Sequence, residues 1–261
     1  MLEATLAFPH WVGRQVIASL GHVGRFSLMV AEILRGLVEV RIWLPRALTE
    51  AWNIGVGSLF IVLLISAFAG AVTALQAGYQ FQGSLPMYVV GTLVVSSIVL
   101  ELGPVLTGLI LAGRIGARYA AELGTMRVTE QIDALESLGR SPTSHLIIPR
   151  VVAGLVMIPA LTVFANIMGV LAGWWGAKLV LPLTDQDFIY GAQYYYRSFD
   201  GWYSLIKAVC FAGAITLIPC YVGFNTQQGA EGVGKATTGA VVSSSVLILL
   251  LDTLLARVLL N

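Results

Sequence analysis

The chain has 261 residues, a formal net charge of +1 and a mean hydropathy of +0.83, and only 11% of its residues are charged. A soluble domain carries about 25% charged residues, so this composition predicts an all-α integral membrane protein. The near-zero net charge excludes the basic surface that nucleic-acid binding requires, and no nucleic-acid partner is expected.

The first predicted element is an amphipathic helix over Phe26–Leu44. Its apolar residues recur at helical spacing, and four charged residues lie mostly off that stripe: Glu32, Arg35, Glu39 and Arg41. Such a helix is predicted to lie in the membrane interface, because crossing the bilayer would bury four charges. We assign residues 1–52 to an N-terminal cytoplasmic region and residues 53–261 to a transmembrane domain.

Five further stretches are apolar enough to cross a bilayer as helices, which takes about 20 residues each. They are Ile54–Leu75, Met87–Gly113, Leu146–Val180, Tyr203–Phe224 and Thr237–Leu260. The second contains Gly103-Pro104 and the third contains Pro159, so a kink or a tilt is predicted in each.

Lysine and arginine residues are distributed unequally between the two sides of these five spans. Eleven lie on the side of the N-terminus and of the 114–145 loop, and four lie on the opposite side. The positive-inside rule therefore predicts a cytoplasmic N-terminus and loop, with the C-terminus outside.

The 114–145 loop is the main polar interruption of the chain, and it is predicted to contain a short helix over Thr129–Leu138. One face is acidic, with Glu130, Asp133 and Glu136, and the other is apolar, with Val128, Ile132 and Leu135. Gly139 is placed to end this helix. An amphipathic unit of this kind suits docking to a partner groove, whereas a solvated connecting helix has the same pattern. Periodicity leaves both interpretations open.

The segment from Glu101 to Pro142 reads ELGPVLTGLILAGRIGARYAAELGTMRVTEQIDALESLGRSP. It resembles the signature stretch of the MlaE permease family, the membrane subunits of ABC transporters that move phospholipids between membranes. The similarity continues through IIPR at 147–150, SLIKAV at 204–209, GKATTGAVV at 234–242 and Asp252. One departure is Leu100, where many members of the family carry a basic residue before the glutamate.

The resemblance implies a homodimeric permease in the bacterial inner membrane that transports phospholipid and has no cofactor of its own. ATP and magnesium would bind a separate ABC ATPase, which would dock on Glu130, Ile132, Asp133, Leu135 and Glu136. An MCE-domain lipid-binding protein in the periplasm and a small STAS-domain protein are the other partners that it implies.

Three ionisable residues fall within the predicted spans: Glu101, Lys207 and Asp252. Charged groups at membrane depth face a cavity or one another, because an isolated charge there costs several kcal/mol. We expect the three to meet in the outer half of the bilayer, with Lys207 as the cation for two carboxylates. They could lock the helices together, line a path for the lipid headgroup, or do both. An alternative function is a stand-alone, ion-coupled secondary transporter that uses Glu101 and Asp252.

Three weaker motifs predict structural roles and not binding sites. The GAEGVGKA segment at 229–236 has Ala236 where a phosphate-binding loop needs Ser or Thr, so it is predicted to be a flexible loop rather than an ATP site. The aromatic stretch Leu183–Tyr203 favours the membrane interface over an external docking site. Gly169-x-x-x-Gly173 favours close helix packing within the chain. No enzymatic activity and no metal site are expected.

Overall fold

The computed structural model describes residues 20–80, 86–227 and 229–260, and within these ranges it contains helices and no strand. Five helical segments are long and apolar enough to cross a membrane: Val40–Gln80, Tyr88–Val128, Thr143–Val180, Ser198–Phe224 and Gly229–Leu259. Each predicted span coincides with one of them, although Met87–Gly113 and Thr237–Leu260 each extend one residue beyond it, and the predicted all-α fold class is confirmed.

The region before the first span differs from the single helix predicted over Phe26–Leu44. A helix over residues 20–36, α1, ends at a turn, and α2 then runs from Val40 to Gln80. The Trp43 indole nitrogen donates to the Leu37 carbonyl at 3.1 Å, and this bond satisfies a carbonyl in the turn. Residues 40–44 therefore belong to the first spanning helix, and the predicted boundary was wrong.

The two faces of α1 have different surroundings. Met29 and Ile33 are buried in the same core cluster as α2 and α7, with Phe26 packed against it. The opposite face exposes large apolar side chains: Leu20, Val23, Leu28 and Leu34. Placement of α1 in the membrane interface stays a prediction, and residues 1–19 of the predicted N-terminal region lie outside the described residues.

The second span is one long rod with two π-helical turns. It consists of α3 (Tyr88–Ser97), π1 (Ile98–Leu102), α4 (Gly103–Leu111), π2 (Ala112–Gly116) and α5 (Ala117–Val128). The irregularity predicted at Gly103-Pro104 is the π1 turn. Residues 114–128 were predicted to be loop, but most of them form α5, where Arg118 and Glu122 pair at helical i, i+4 spacing.

The remaining elements are α6 (Gln131–Ser137), π3 (Thr143–Ile147), α7 (Ile148–Val180), α8 (Asp185–Tyr194), α9 (Ser198–Phe224) and α10 (Gly229–Leu259). The spanning helix α7 connects α6 to α8, so these short helices lie at opposite ends of the bundle, here named the α6 end and the α8 end. Residues 229–236 form the first turns of α10, where Glu231 pairs with Lys235 at 2.7 Å. The prediction of a flexible loop there was wrong.

The core is built on close contact between α2 and α7. A Cβ added at Gly70 of α2 would lie 1.8 Å from the Gly169 carbonyl oxygen, and one at Gly173 would lie 3.1 Å from the Gly70 carbonyl oxygen. The Ser66 hydroxyl donates to the Ala165 carbonyl across the same contact. Packing of the Gly169-x-x-x-Gly173 motif within the chain is therefore confirmed.

Candidate functional site

The site begins with a backbone irregularity in the second span. Pro104 has no N–H, so it cannot donate to the carbonyl four residues earlier, which is that of Leu100. The chain between Ile98 and Leu102 winds as a π turn, and the Gly103 N–H donates to the Ile98 carbonyl. The turn carries Glu101 and leaves the Leu100 carbonyl free for a partner from another helix.

Lys207 of α9 supplies that partner. Its ammonium nitrogen lies 3.0 Å from the Leu100 carbonyl oxygen, 2.8 Å from Glu101 Oε2 and 2.6 Å from Asp252 Oδ1. The ammonium group thus donates hydrogen bonds to Leu100 and Glu101 and forms an ion pair with Asp252. The structure brings together the three residues predicted from the sequence, and we name Glu101, Lys207 and Asp252 the charge triad.

Tyr203, one turn before Lys207 on α9, forms a wall of the charge triad. The Lys207 nitrogen lies 4.7 Å from the centre of the Tyr203 ring, within range of a cation–π interaction. The Tyr203 hydroxyl donates to Glu101 Oε1 at 3.4 Å. Tyr203 was not among the site residues predicted from the sequence, although its spacing of four from Lys207 on the same helix was a usable signal.

Exposure within the charge triad is uneven. The Lys207 side chain is 0% exposed, whereas those of Asp252 and Glu101 are 20% and 43% exposed. A molecule that approaches therefore meets carboxylate oxygens, and the ammonium group lies behind them. With one cation and two carboxylates, the cluster has a formal charge of −1 and offers a surface that accepts hydrogen bonds.

At the other end of the bundle, α6 is held by its own caps. Glu130 adopts a left-handed conformation with φ 59°, and Gly139 adopts φ 69°. The Gly139 N–H donates to the Glu136 carbonyl and the Arg140 N–H donates to the Leu135 carbonyl, which is the Schellman arrangement. The predicted stop at Gly139 is confirmed.

The two faces of α6 do not both point outwards. Ile132 is 0% exposed and Leu135 is half-buried, so the apolar face packs onto the chain itself. Glu130, Asp133 and Glu136 are exposed, and Asp133 pairs with Arg127 at 2.5 Å. Leu138, 75% exposed, is the most exposed large apolar side chain of this region, and Val128 is 36% exposed. We name Glu130, Asp133, Glu136 and Leu138 the α6 surface; it differs from the predicted coupling set because Ile132 and Leu135 face inwards.

A second charge network near the α6 end was not predicted. Glu122 of α5 pairs with Arg118 at 2.6 Å and with Arg150 of α7 at 2.9 Å, and Arg118 also lies 3.5 Å from Glu50 of α2. The Arg150 guanidinium lies over the Tyr119 ring at 5.4 Å. The i, i+4 spacing of Arg118 and Glu122 was a signal in the sequence, whereas the roles of Glu50 and Arg150 depend on packing. The network ties α2, α5 and α7 together beneath α6.

No metal centre is formed in the part of the chain that the structure describes. Among residues 20–80, 86–227 and 229–260, no group of three or more His, Cys, Asp or Glu side chains is placed to hold a metal ion. The helical conformation of residues 229–236 also differs from the loop that cradles a phosphate.

Five apolar spans, a charge triad within them and a capped acidic helix at one end are the features of a multi-pass membrane protein. The family model described as Permease MlaE matches residues 47–258, and the chain belongs to this family. A probable ABC transporter permease protein of Rickettsia prowazekii is 39% identical over 252 residues, which cover 97% of each chain.

Two further relatives come from distant sources. The intermembrane phospholipid transport system permease protein MlaE of Haemophilus influenzae is 34% identical over 95% of each chain. Protein TRIGALACTOSYLDIACYLGLYCEROL 1, chloroplastic, of Arabidopsis thaliana is 34% identical over 97% of this chain and 72% of its own length. The resemblance stated from the sequence is confirmed.

Proposed function

We propose that this chain is the permease subunit of an ABC transporter that moves phospholipids between bacterial membranes. It works as a homodimer in the inner membrane, and a separate ABC ATPase binds ATP and magnesium. An MCE-domain periplasmic protein exchanges lipid with it, and a STAS-domain protein can bind the ATPase. Family membership supports this proposal, together with the name of the Haemophilus relative.

The observation that carries the proposal is the charge triad at membrane depth. Ionisable groups within spans usually mark a path for a polar substrate, because the membrane makes an unused charge costly. The partly exposed carboxylates of Glu101 and Asp252 would accept hydrogen bonds from a lipid headgroup. The buried Lys207 ammonium group lies between both carboxylates and orients them.

Purification from native membranes, followed by mass spectrometry of the proteins and lipids that remain bound, tests this function. We expect an ABC ATPase, an MCE-domain protein and phospholipid. Transport of a fluorescent phospholipid should require the ATPase and ATP. A chain that purifies without an ATPase, or whose transport continues after the ATPase is lost, would contradict the proposal.

The exposed carboxylates favour one alternative function, that of an ion-coupled secondary transporter. Two acidic side chains with a formal excess of negative charge could bind a proton or a cation, as a secondary transporter requires. That function predicts lipid or ion movement that follows an imposed ion gradient in vesicles that contain this chain alone. The ABC function predicts no such dependence, so the two are separated by one measurement.

We infer that the α6 surface is the contact for the ATPase. Replacing Glu136 with lysine and Leu138 with aspartate should lower co-purification of the ATPase about tenfold or more, because loss of one good contact is worth about 1.4 kcal/mol. Both side chains are exposed, so the fold should survive. The measurement is the ATPase recovered per permease, with protein yield and thermal stability recorded beside it.

Two variants make this prediction specific. Glu231→Lys makes the same charge change on an exposed side chain at the same end of the bundle, and it should leave ATPase recovery unchanged. Ile132→Asp would place a charge in a fully buried position, so its effect would report on folding. Unchanged recovery in the Glu136→Lys, Leu138→Asp variant would remove the coupling assignment from α6.

We propose that α1 lies along the cytoplasmic membrane surface and does not cross. Single cysteines at Gly21 near the start of α1 and Thr49 in α2, placed in a chain whose Cys210 and Cys220 are replaced with alanine, should react with an impermeant maleimide from the same side. A cysteine at Gln193 of α8 should react from the opposite side. Labelling of positions 21 and 49 from opposite sides would show that α1 crosses.

A further inference from the structure

A cleft of about 570 Å³ opens on the side of the bundle between α7, the start of α9 and Val99 of π1. Its size falls within the range of pockets that hold small molecules, about 300–1,000 Å³. Val99 and Glu101 lie two residues apart on π1 and therefore project from different faces of the helix. The cleft, here named the lateral cleft, is thus separate from the charge triad but shares the π1 turn with it.

The polarity of the lateral cleft changes along its length. On α7, Val163, Ile167 and Leu171 form an apolar stripe at a spacing of four, and all three are exposed to the surroundings of the bundle. Toward the α8 end the lining changes to Tyr196 and Trp202, whose rings carry polar groups. Such amphipathic aromatic residues mark the level of lipid headgroups.

One position in the lining of the lateral cleft has no side chain. Gly201 lines the cleft, and a Cβ added there would lie 3.0 Å from the Tyr196 hydroxyl oxygen. Asn166 also lines the cleft, and its amide nitrogen donates to the Ser204 hydroxyl at 2.9 Å, whereas its amide oxygen is buried without a hydrogen-bond partner among the described residues. The apolar walls of Val163 and Ile167 are therefore presented to whatever covers the helix in the membrane.

We propose that the lateral cleft binds one acyl chain of a bilayer phospholipid from the leaflet at the α8 end, with the headgroup beside Tyr196 and Trp202. The occupant follows from the position of the cleft: its apolar stripe is continuous with the exposed, membrane-facing surface of α7. A headgroup placed at the aromatic end would put its acyl chain along that stripe. This site goes beyond the proposed function, which concerns a lipid headgroup at the charge triad. An acyl chain can bind in the lateral cleft whether or not a headgroup contacts the charge triad.

The test uses the full chain with its bound partners in nanodiscs that contain a phosphatidylethanolamine with a diazirine near the end of one acyl chain. After illumination, labelled peptides are mapped by mass spectrometry. We expect labels on the 163–171 segment of α7 and on the 198–205 segment of α9. Ile167→Trp, which fills the cleft, should lower this labelling about tenfold, because excluding two methylenes from an apolar site is worth that much.

Phe164→Trp is the matched control, since Phe164 is exposed on the same turn of α7 and does not line the cleft. It should label as the parent chain does. If Ile167→Trp does not fold, Val163→Phe fills the same stripe and should give the same loss. Equal labelling of the filled and control variants would show unspecific surrounding lipid and overturn the proposal, as would a cross-link from the cleft to a helix of a partner protein.

The charge triad provides an independent check. The triple variant Lys207→Met, Glu101→Gln and Asp252→Asn, which removes the charges together, should leave acyl labelling of the lateral cleft unchanged even if transport is lost. A parent chain that transports lipid but shows no labelling of the cleft would overturn the lateral site alone. A parent chain whose cleft is labelled but whose transport does not depend on the ATPase would overturn the proposed function alone.

Discussion

Replacing Gly70 with alanine is expected to separate α2 from α7 and lower the free energy of unfolding by about 3 kcal/mol. The added Cβ would lie 1.8 Å from the carbonyl oxygen, 2.7 Å from the carbonyl carbon and 3.0 Å from the Cα of Gly169. All three are backbone atoms, so no side chain can rotate away, and one helix must shift along much of its length. Membrane helices associate through such close contact, since burial from water contributes little there.

The measurement is the temperature at which the purified protein loses its monodisperse peak in size-exclusion chromatography after heating in detergent. Gly213→Ala is the control, because Gly213 lies within α9 and a Cβ there would meet no atom within 4 Å. That variant should be neutral or more stable by up to about 1 kcal/mol, in line with helix propensity. A Gly70→Ala protein as stable as the parent would contradict the packing described for α2 and α7.

Replacing Lys207 with methionine is expected to be the most harmful change in the charge triad. It leaves the carboxylates of Glu101 and Asp252, and the Leu100 carbonyl, without their shared donor. Breaking a buried pair costs about 3–5 kcal/mol, and the lower end applies because both carboxylates are partly exposed. Thermal stability and ATP-dependent phospholipid transport should both fall.

Rescue experiments separate electrostatic pairing from simple loss of side-chain volume. Adding either Glu101→Gln or Asp252→Asn to Lys207→Met should restore part of the stability, and adding both should restore more, because both carboxylates contact the same ammonium group. Lys235→Met is the control, since its pair with Glu231 is exposed and worth about 1 kcal/mol or less. Strictly additive losses in all combinations would show that the three residues do not act as a cluster.

Stability and transport are expected to respond differently in the rescued proteins. The triple variant keeps the helices together without charge, but it offers no ionised carboxylate to a headgroup. If the charge triad serves the substrate path, transport should stay low while stability recovers. Recovery of both would assign the charge triad to helix packing alone.

The sequence by itself determined the membrane class, the five spans and the family. Length and apolarity decide these features, because a bilayer core admits only helices that satisfy their own backbone groups and carry few charges. The same cost of charge in the membrane predicted that Glu101, Lys207 and Asp252 would meet. The Schellman stop at Gly139 was also predictable, since a left-handed residue after a helix is most often glycine.

Only the tertiary structure decided which side chains of these elements are buried and which are exposed. Periodicity gave α6 an apolar and an acidic face, but neighbouring helices determined that Ile132 is buried within the chain and that Leu138 is exposed. The helical conformation of residues 229–236 likewise depends on packing, since its three glycines predict a loop locally. Val233 in this segment lies against Gly124 of α5, which gives the helix a neighbour to pack on.

The contacts within the charge triad likewise depend partly on the sequence and partly on the tertiary structure. A sequence reveals which residues carry charge, but not how many acceptors one ammonium group can reach at once. The π1 turn frees the Leu100 carbonyl, and the packing of α9 and α10 against it brings Glu101 and Asp252 to a single nitrogen. Distances between helices that are far apart in sequence decide such contacts, and local propensity carries no information about them.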